Sequence, residues 1–236
     1  MIEILLMGFL LGMRHALESD HVAAVASLVT KSPSMRESIH MGSMWGLGHT
    51  VTLFVFGSAV MLLDQMIPER MALMLEFTVG IMLVALGIDV LRRFMRERVH
   101  FHAHHHADGT LHFHAHTHTE QTHHASDSHL HTHSERLPLR ALLVGIMHGM
   151  AGSAALIILT LQTVQSFTMG MIYIALFGLG SIGGMAALSV VIMLPLRHSA
   201  NRYARLHQYL QLGIGAATIT LGVTMMVTIA GSSQLL

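Results

Sequence analysis

The stretch Gly12-Met13-Arg14-His15-Ala16-Leu17-Glu18-Ser19-Asp20-His21-Val22 decides how this chain folds, because it lies inside the first apolar segment. Crossing a bilayer takes about 20 mostly apolar residues. The run from Ile2 to Met13 is too short to cross alone, and Val22–Val29 supplies the remainder. The ionisable groups between them therefore sit within the membrane. A charge near the bilayer centre costs roughly 2.5–3.5 kcal/mol even on the mildest scale, so such groups mark an ion or substrate path.

Composition supports the membrane reading. Of 236 residues, 52% are hydrophobic and 11% charged, whereas soluble domains carry about 25% charged residues. The chain contains no cysteine, which excludes disulfides, thiolate metal sites and thiol redox chemistry. Its formal net charge of zero offers nothing to nucleic acid. No Lys or Arg precedes Arg14, so the N-terminus lacks the basic region of a cleavable signal peptide and reads as a retained first helix.

Six spans are expected, at 2–29, 40–63, 72–91, 139–161, 168–195 and 208–230. One set of loops then holds Lys31, Arg36, Arg92, Arg93, Arg96, Arg98, Arg136, Arg197, Arg202 and Arg205, with Arg140 at the edge of span four. The other side holds only Arg70. The positive-inside rule places both termini outside and the segment 96–138 in the cytoplasm.

The halves resemble each other. Leu5-Leu6-Met7-Gly8 with Gly12-Met13 matches Leu142-Leu143-Val144-Gly145 with Gly149-Met150. Trp45-Gly46-Leu47-Gly48 matches Phe177-Gly178-Leu179-Gly180, and Gly80 with Leu86-Gly87 matches Gly215 with Leu221-Gly222. Three spans per half is an odd number, so the second half runs inverted. Inverted repeats are a transporter architecture, with the site at the repeat interface near the midplane. The expected organisation is a first three-helix repeat over 1–95, a disordered His-rich loop over 96–138, and a second repeat over 139–236. The fold class is an all-α integral membrane protein.

Centring each span brings His15, His49 and His148 to similar depth, beside Glu18, Asp20 and His21. Any one of these histidines alone reads as a packing residue. Three at one depth beside carboxylates read as a shared site, and imidazole with carboxylate suits first-row divalent metals. At 100° per residue, Asp20 lies about 140° around the helix from His15, and His21 about −120°. Either the helix unwinds between them or only some of them ligate. Asp20 serves as a ligand or as an acceptor behind an imidazole. Arg14 is expected to neutralise a carboxylate in the empty state, and Glu18 to stand behind the ligands.

Residues 100–133 hold fourteen histidines, among them His102, His104, His105, His106, His112, His114, His116 and His118. Such density of imidazole binds Ni, Cu, Zn or Co with little choice, so the tract reads as a cytoplasmic metal buffer. Met147 and Met150 read as packing residues. Glu76 reads as a flank of span three, and Asp89 as a headgroup neighbour of Arg92 or Arg93. There is no His-Glu-x-x-His motif, and the clustered histidines fall in a loop rather than on helix ends, so an enzyme is not expected.

The His-x4-Asp-His motif from His15 to His21, approached by Leu11-Gly12-Met13-Arg14, resembles the signature of the nickel/cobalt transporter family. Trp45-Gly46-Leu47-Gly48-His49-Thr50 resembles its second signature. His148-Gly149-Met150-Ala151-Gly152-Ser153 is similar to a third, found in the smaller six-span permeases related to urease accessory membrane proteins. The resemblance implies movement of Ni(II) or Co(II) across the cytoplasmic membrane, with His15, Asp20 and His21 essential for recognition. Members often have Asp where this chain has Glu18. Uptake is the expected direction and efflux the alternative. The ion is cargo and no cofactor is expected; the implied partners are the lipid bilayer and cytoplasmic metallochaperones.

Overall fold

The computed structural model describes residues 2–63, 68–96, 100–105, 111–116, 136–163 and 166–231. In chain order they form α1 (Ile2–His15), α2 (Ser19–Val29), α3 (Met35–Leu63), α4 (Glu69–Arg96), β1 (His100–His105), β2 (Leu111–His116), α5 (Arg136–Thr163), α6 (Phe167–Arg202) and α7 (Ala204–Gly231). Among the described residues, four helices are long and apolar enough to cross a membrane: Met35–Leu63, Glu69–Met95, Phe167–Ala200 and Arg205–Gly231. Large apolar side chains such as Leu62, Val55, Val191 and Val227 stand exposed on them, as lipid-facing positions require.

The first expected span is two helices. The last bond of α1's ladder runs from the Ala16 N–H to the Gly12 carbonyl at 3.4 Å. A tighter turn follows, in which Leu17 donates to Arg14 and Glu18 to His15. Glu18 is extended (φ −63°, ψ 146°) and starts α2. Of the two readings left open by the angular spacing, the chain adopts the unwound one. Asp20 then lies in the first turn of α2, where a carboxylate is favoured by the helix dipole and by free backbone N–H groups. Its Oδ1 accepts from the His21 N–H at 3.0 Å.

Glycines set how closely the helices approach. A Cβ on Gly12 or Gly180 would collide with backbone of the facing helix, α6 or α1 respectively. Gly48 lies against Leu142 and Ile146, and Gly46 against Ile182. Small residues at such contacts let membrane helices pack backbone to backbone. The partners fix directions. α1 runs parallel to α6 and α3 parallel to α5, while α3 with α6 and α4 with α7 are antiparallel. The N-termini of α1, α4 and α6 therefore share one end of the bundle with the C-terminus of α7. The C-terminus of α2 and the N-termini of α3, α5 and α7 share the other.

Two expectations change. The loop expected at 196–207 is largely helical, because α6 continues through Pro195 to Arg202 and only Tyr203 separates it from α7. The segment 96–138, expected to lack regular structure, carries an antiparallel hairpin pairing His100 with His116, His102 with His114 and His104 with His112. The His-x-His alternation has the period of a strand, which a reading by composition alone overlooks. His105 lies on β1, while His106 and His118 fall outside the described residues.

Candidate metal centre

The break between α1 and α2 turns His15 and His21 toward each other, with ring centroids 4.3 Å apart and edge-on. His49 reaches them from α3 and His148 from α5. The His49 ring lies 5.1 Å from His15 and 5.2 Å from His21. The His148 ring lies 4.2 Å from His21. Trp45, fully buried, packs under the group with its ring 5.2 Å from His21 and 5.4 Å from His148. His21, His49 and His148 are all buried.

Two carboxylates address the imidazoles. Glu18 Oε1 lies 2.8 Å from His15 Nδ1. Asp20 spans two rings, with Oδ1 3.0 Å from His21 Nδ1 and Oδ2 2.9 Å from His148 Nε2. A carboxylate accepts, so the network assigns N–H to His15 Nδ1, His21 Nδ1 and His148 Nε2. That leaves His15 Nε2 and His21 Nε2 as acceptors. His15 Nε2 faces His49 Nε2 at 3.1 Å, and His21 Nε2 is buried without a hydrogen-bond partner.

The groups form two sets whose ligand atoms lie within 4.8 Å of one another: His15, His21 and His49, and Asp20, His21 and His148. Two nitrogens bound to one ion at about 2.05 Å lie about 2.9 Å apart at a right angle and about 3.3 Å apart at the tetrahedral angle. The His15–His49 nitrogens, 3.1 Å apart, fall between those values, and the other ligand atoms of each set lie within 4.8 Å of one another. Three protein ligands with remaining positions open is also the arrangement from which an ion can exchange.

A cavity of about 780 Å³ leads to this group, lined among others by Arg14, Glu18, Glu76, Tyr173 and Phe177. Tyr173 and Glu76 lie a few turns from the N-termini of α6 and α4, and Met225, another lining residue, lies near the C-terminus of α7. These residues lie on the side of the site toward the end shared by those termini. Toward the opposite end, Val25, Val29, Met41, Leu83, Met185 and Leu188 form a packed apolar cluster. Ser27 bonds Thr218 at 3.0 Å there, Lys31 pairs with Asp89, and Arg93 donates to the Thr30 hydroxyl at 3.2 Å.

The UreH urease accessory protein of Bacillus sp. (strain TB-90) is 35% identical to this chain over 207 residues, covering 88% of the chain and 83% of that protein. The chain belongs to the nickel/cobalt transporter family, in its UreH-like branch. A Methanocaldococcus jannaschii protein named for nickel/cobalt efflux is 24% identical over 79% of the chain and 74% of its own length. The Arabidopsis thaliana chloroplast protein FOR GROWTH AND FERTILITY 1 is 25% identical over 78% of the chain and 48% of its own length. No family model matches the chain, and no solved structure does.

In this transporter the five expected metal residues, His15, Asp20, His21, His49 and His148, converge on one group. The expected ion pair of Arg14 does not form among the described residues; Arg14 lines the cavity, and Glu18 engages His15 instead. Asp89 pairs with Lys31 of the α2–α3 connection and lies 4.0 Å from Arg93. Sequence reading missed Glu76, which lies on the cavity wall. A carboxylate two turns inside an apolar helix was the available signal.

Proposed function

We propose that this protein carries Ni(II) or Co(II) inward across the cytoplasmic membrane by alternating access. The carrying observation is the pair of overlapping three-ligand sets beside a cavity of about 780 Å³. A dehydrated divalent ion needs replacement ligands in the membrane, and imidazole with carboxylate suits these metals. Among the assigned groups, His15, Asp20, His21, His49 and His148 serve the ion, while Glu18 orients His15. Arg14 sets the charge of the approach. His102, His104, His105, His106, His112, His114, His116 and His118 hold metal in the cytoplasm.

The chain crosses six times as two inverted three-helix repeats, with α1 and α2 together forming one crossing. The glycine contacts support this. Gly80 meets Gly222 and Met226, and Gly215 meets Gly87 and Leu91. A shift of 135 residues converts one set into the other. Gly46 meets Ile182, and Gly178 meets Thr50, in the same way with a shift of 132. With the basic loops inside, Glu76, Tyr173 and Met225 line the outer side of the site, where a carrier loading from outside takes its ion. The M. jannaschii relative named for efflux gives the second reading, export along the same path.

The test is Ni and Co content of cells expressing the wild-type protein or His15→Ala at equal membrane abundance. Uptake predicts higher content with the wild type. Lower content with the wild type establishes efflux, and equal content removes the transport assignment.

A further inference from the structure

Asp20, His21 and His148 are not simply an extension of the three-histidine set, because the two sets have only His21 in common. The His21 ring is central, with His15 at 4.3 Å on one side and His148 at 4.2 Å on the other. Its nitrogens have different surroundings: Nδ1 meets Asp20 at 3.0 Å, and Nε2 is buried without a partner. Resting on the metal-carrier reading, we propose that the ion is held in turn at two stations that share the His21 ring. The first is His15, His21 and His49; the second is Asp20, His21 and His148.

The chemistry of the stations differs. At the first, three neutral imidazoles ligate, His21 through the free Nε2. Asp20 and Glu18 remain behind His21 and His15, accepting their Nδ1–H bonds, an arrangement that orients the rings and raises their basicity. At the second, Asp20 ligates directly and His21 turns to its Nδ1. There His21 and His148 each carry their proton on the opposite ring nitrogen, so net protonation is unchanged. Asp20 is thus both ligand and outer partner, at different steps. Transport needs binding strong enough to take the ion in and divided enough to release it. Two adjoining sites supply this better than one deep well. The shared ring keeps at least one protein ligand within reach during the hand-over.

The experiment uses the full chain purified in detergent, with Co(II) as probe, and subtracts the Co(II) held by the His-rich tract, read from a variant in which His15, Asp20, His21, His49 and His148 are all replaced. Equilibrium dialysis reads affinity and the visible d–d spectrum reads the ligand set. His49→Gln removes only the first station, His148→Gln only the second, and His21→Gln both. We expect His49→Gln and His148→Gln each to retain one Co(II) with affinity within about tenfold of wild type. Their spectra should differ from each other, and each should lose transport. His21→Gln should weaken binding by about 100-fold or more. Size-exclusion profiles and the matching Asn variants separate ligand loss from misfolding. If His49→Gln and His148→Gln both lose binding as completely as His21→Gln while remaining folded, there is one station and the inference fails. If the two single-station variants give identical spectra, it fails likewise. A wild-type protein that binds no more Co(II) or Ni(II) than the variant with all five site residues replaced overturns the carrier reading itself.

Discussion

Gly149 follows a metal-site histidine, and a methyl group there should be felt at the site. A Cβ on Gly149 would lie 2.8 Å from the His49 carbonyl oxygen, 2.9 Å from the Thr52 Cβ and 3.1 Å from the His49 Cα. Ordinary contact begins near 3.4 Å. Two of these atoms are backbone, so α3 and α5 must part by roughly 0.5 Å rather than rotate a side chain, at an overpacking cost of about 1–3 kcal/mol. Gly213 on α7 provides the control, since a Cβ there meets nothing within 4 Å. Both changes gain about 1 kcal/mol of helix propensity, which cancels in the comparison. Gly149→Ala should therefore be less stable than Gly213→Ala by about 1–3 kcal/mol in chemical unfolding followed by circular dichroism. It should also weaken Co(II) binding, because His49 and His148 move apart, while Gly213→Ala should not. Equal stability and equal affinity in the two variants would refute the argument that backbone contact at Gly149 sets the spacing of the site.

Three further outcomes are expected. Acidification should weaken Co(II) and Ni(II) binding, because protons compete with the ion for the ligating imidazoles and carboxylate; dialysis across a descending pH series checks the sign. Single cysteines replacing Ser128 and Ser232 should label from opposite faces of the membrane, and labelling from the same face would reject six crossings. Deleting 100–133 should alter metal sensitivity yet preserve transport, since loop-closure entropy changes slowly with length; a normally expressed deletion without transport would make the tract an obligatory stage of the path.

The convergence of His15, Asp20, His21, His49 and His148 is legible in the sequence because the reasons for noticing them are chemical and local. Ionisable groups inside an apolar segment are costly, so His15, Asp20 and His21 stood out singly, and the centring of spans brought in His49 and His148. The unwound turn at Ala16–Glu18 was one of two readings that the 100° rule allowed. The choice depends on what Asp20 meets across the bundle, namely His148 from a helix 128 residues away. Periodicity within one segment carries no information about such a partner. Glu76 was misread for the same reason: whether a carboxylate flanks a helix or lines a cavity is decided by the neighbouring helices. The Arg14 pair failed on competition, since Glu18 is three residues from His15 across a tight turn and meets its Nδ1 first. The hairpin at His100–His116 is not anticipated because the alternating histidines read as metal ligands, and a tract with few apolar residues offers no core for strands to pack on.

On the proposed carrier reading, the charges lining the cavity favour a divalent ion over a monovalent one. Glu18, Asp20 and Glu76 set three carboxylates against the single guanidinium of Arg14, a formal charge of two minus. A dehydrated divalent ion neutralises that charge; a monovalent ion leaves a residue of negative charge in a medium where isolated charge is costly. Charge alone would equally admit Mg(II) or Ca(II), which favour oxygen ligands. The four imidazoles supply the other half of the discrimination, because nitrogen donors favour the later first-row metals. Placing two of the carboxylates behind imidazoles, rather than all of them on the ion, balances the charge without an all-oxygen cage. On this argument, selectivity resides in which atoms touch the ion, while its valence is set by groups that surround it.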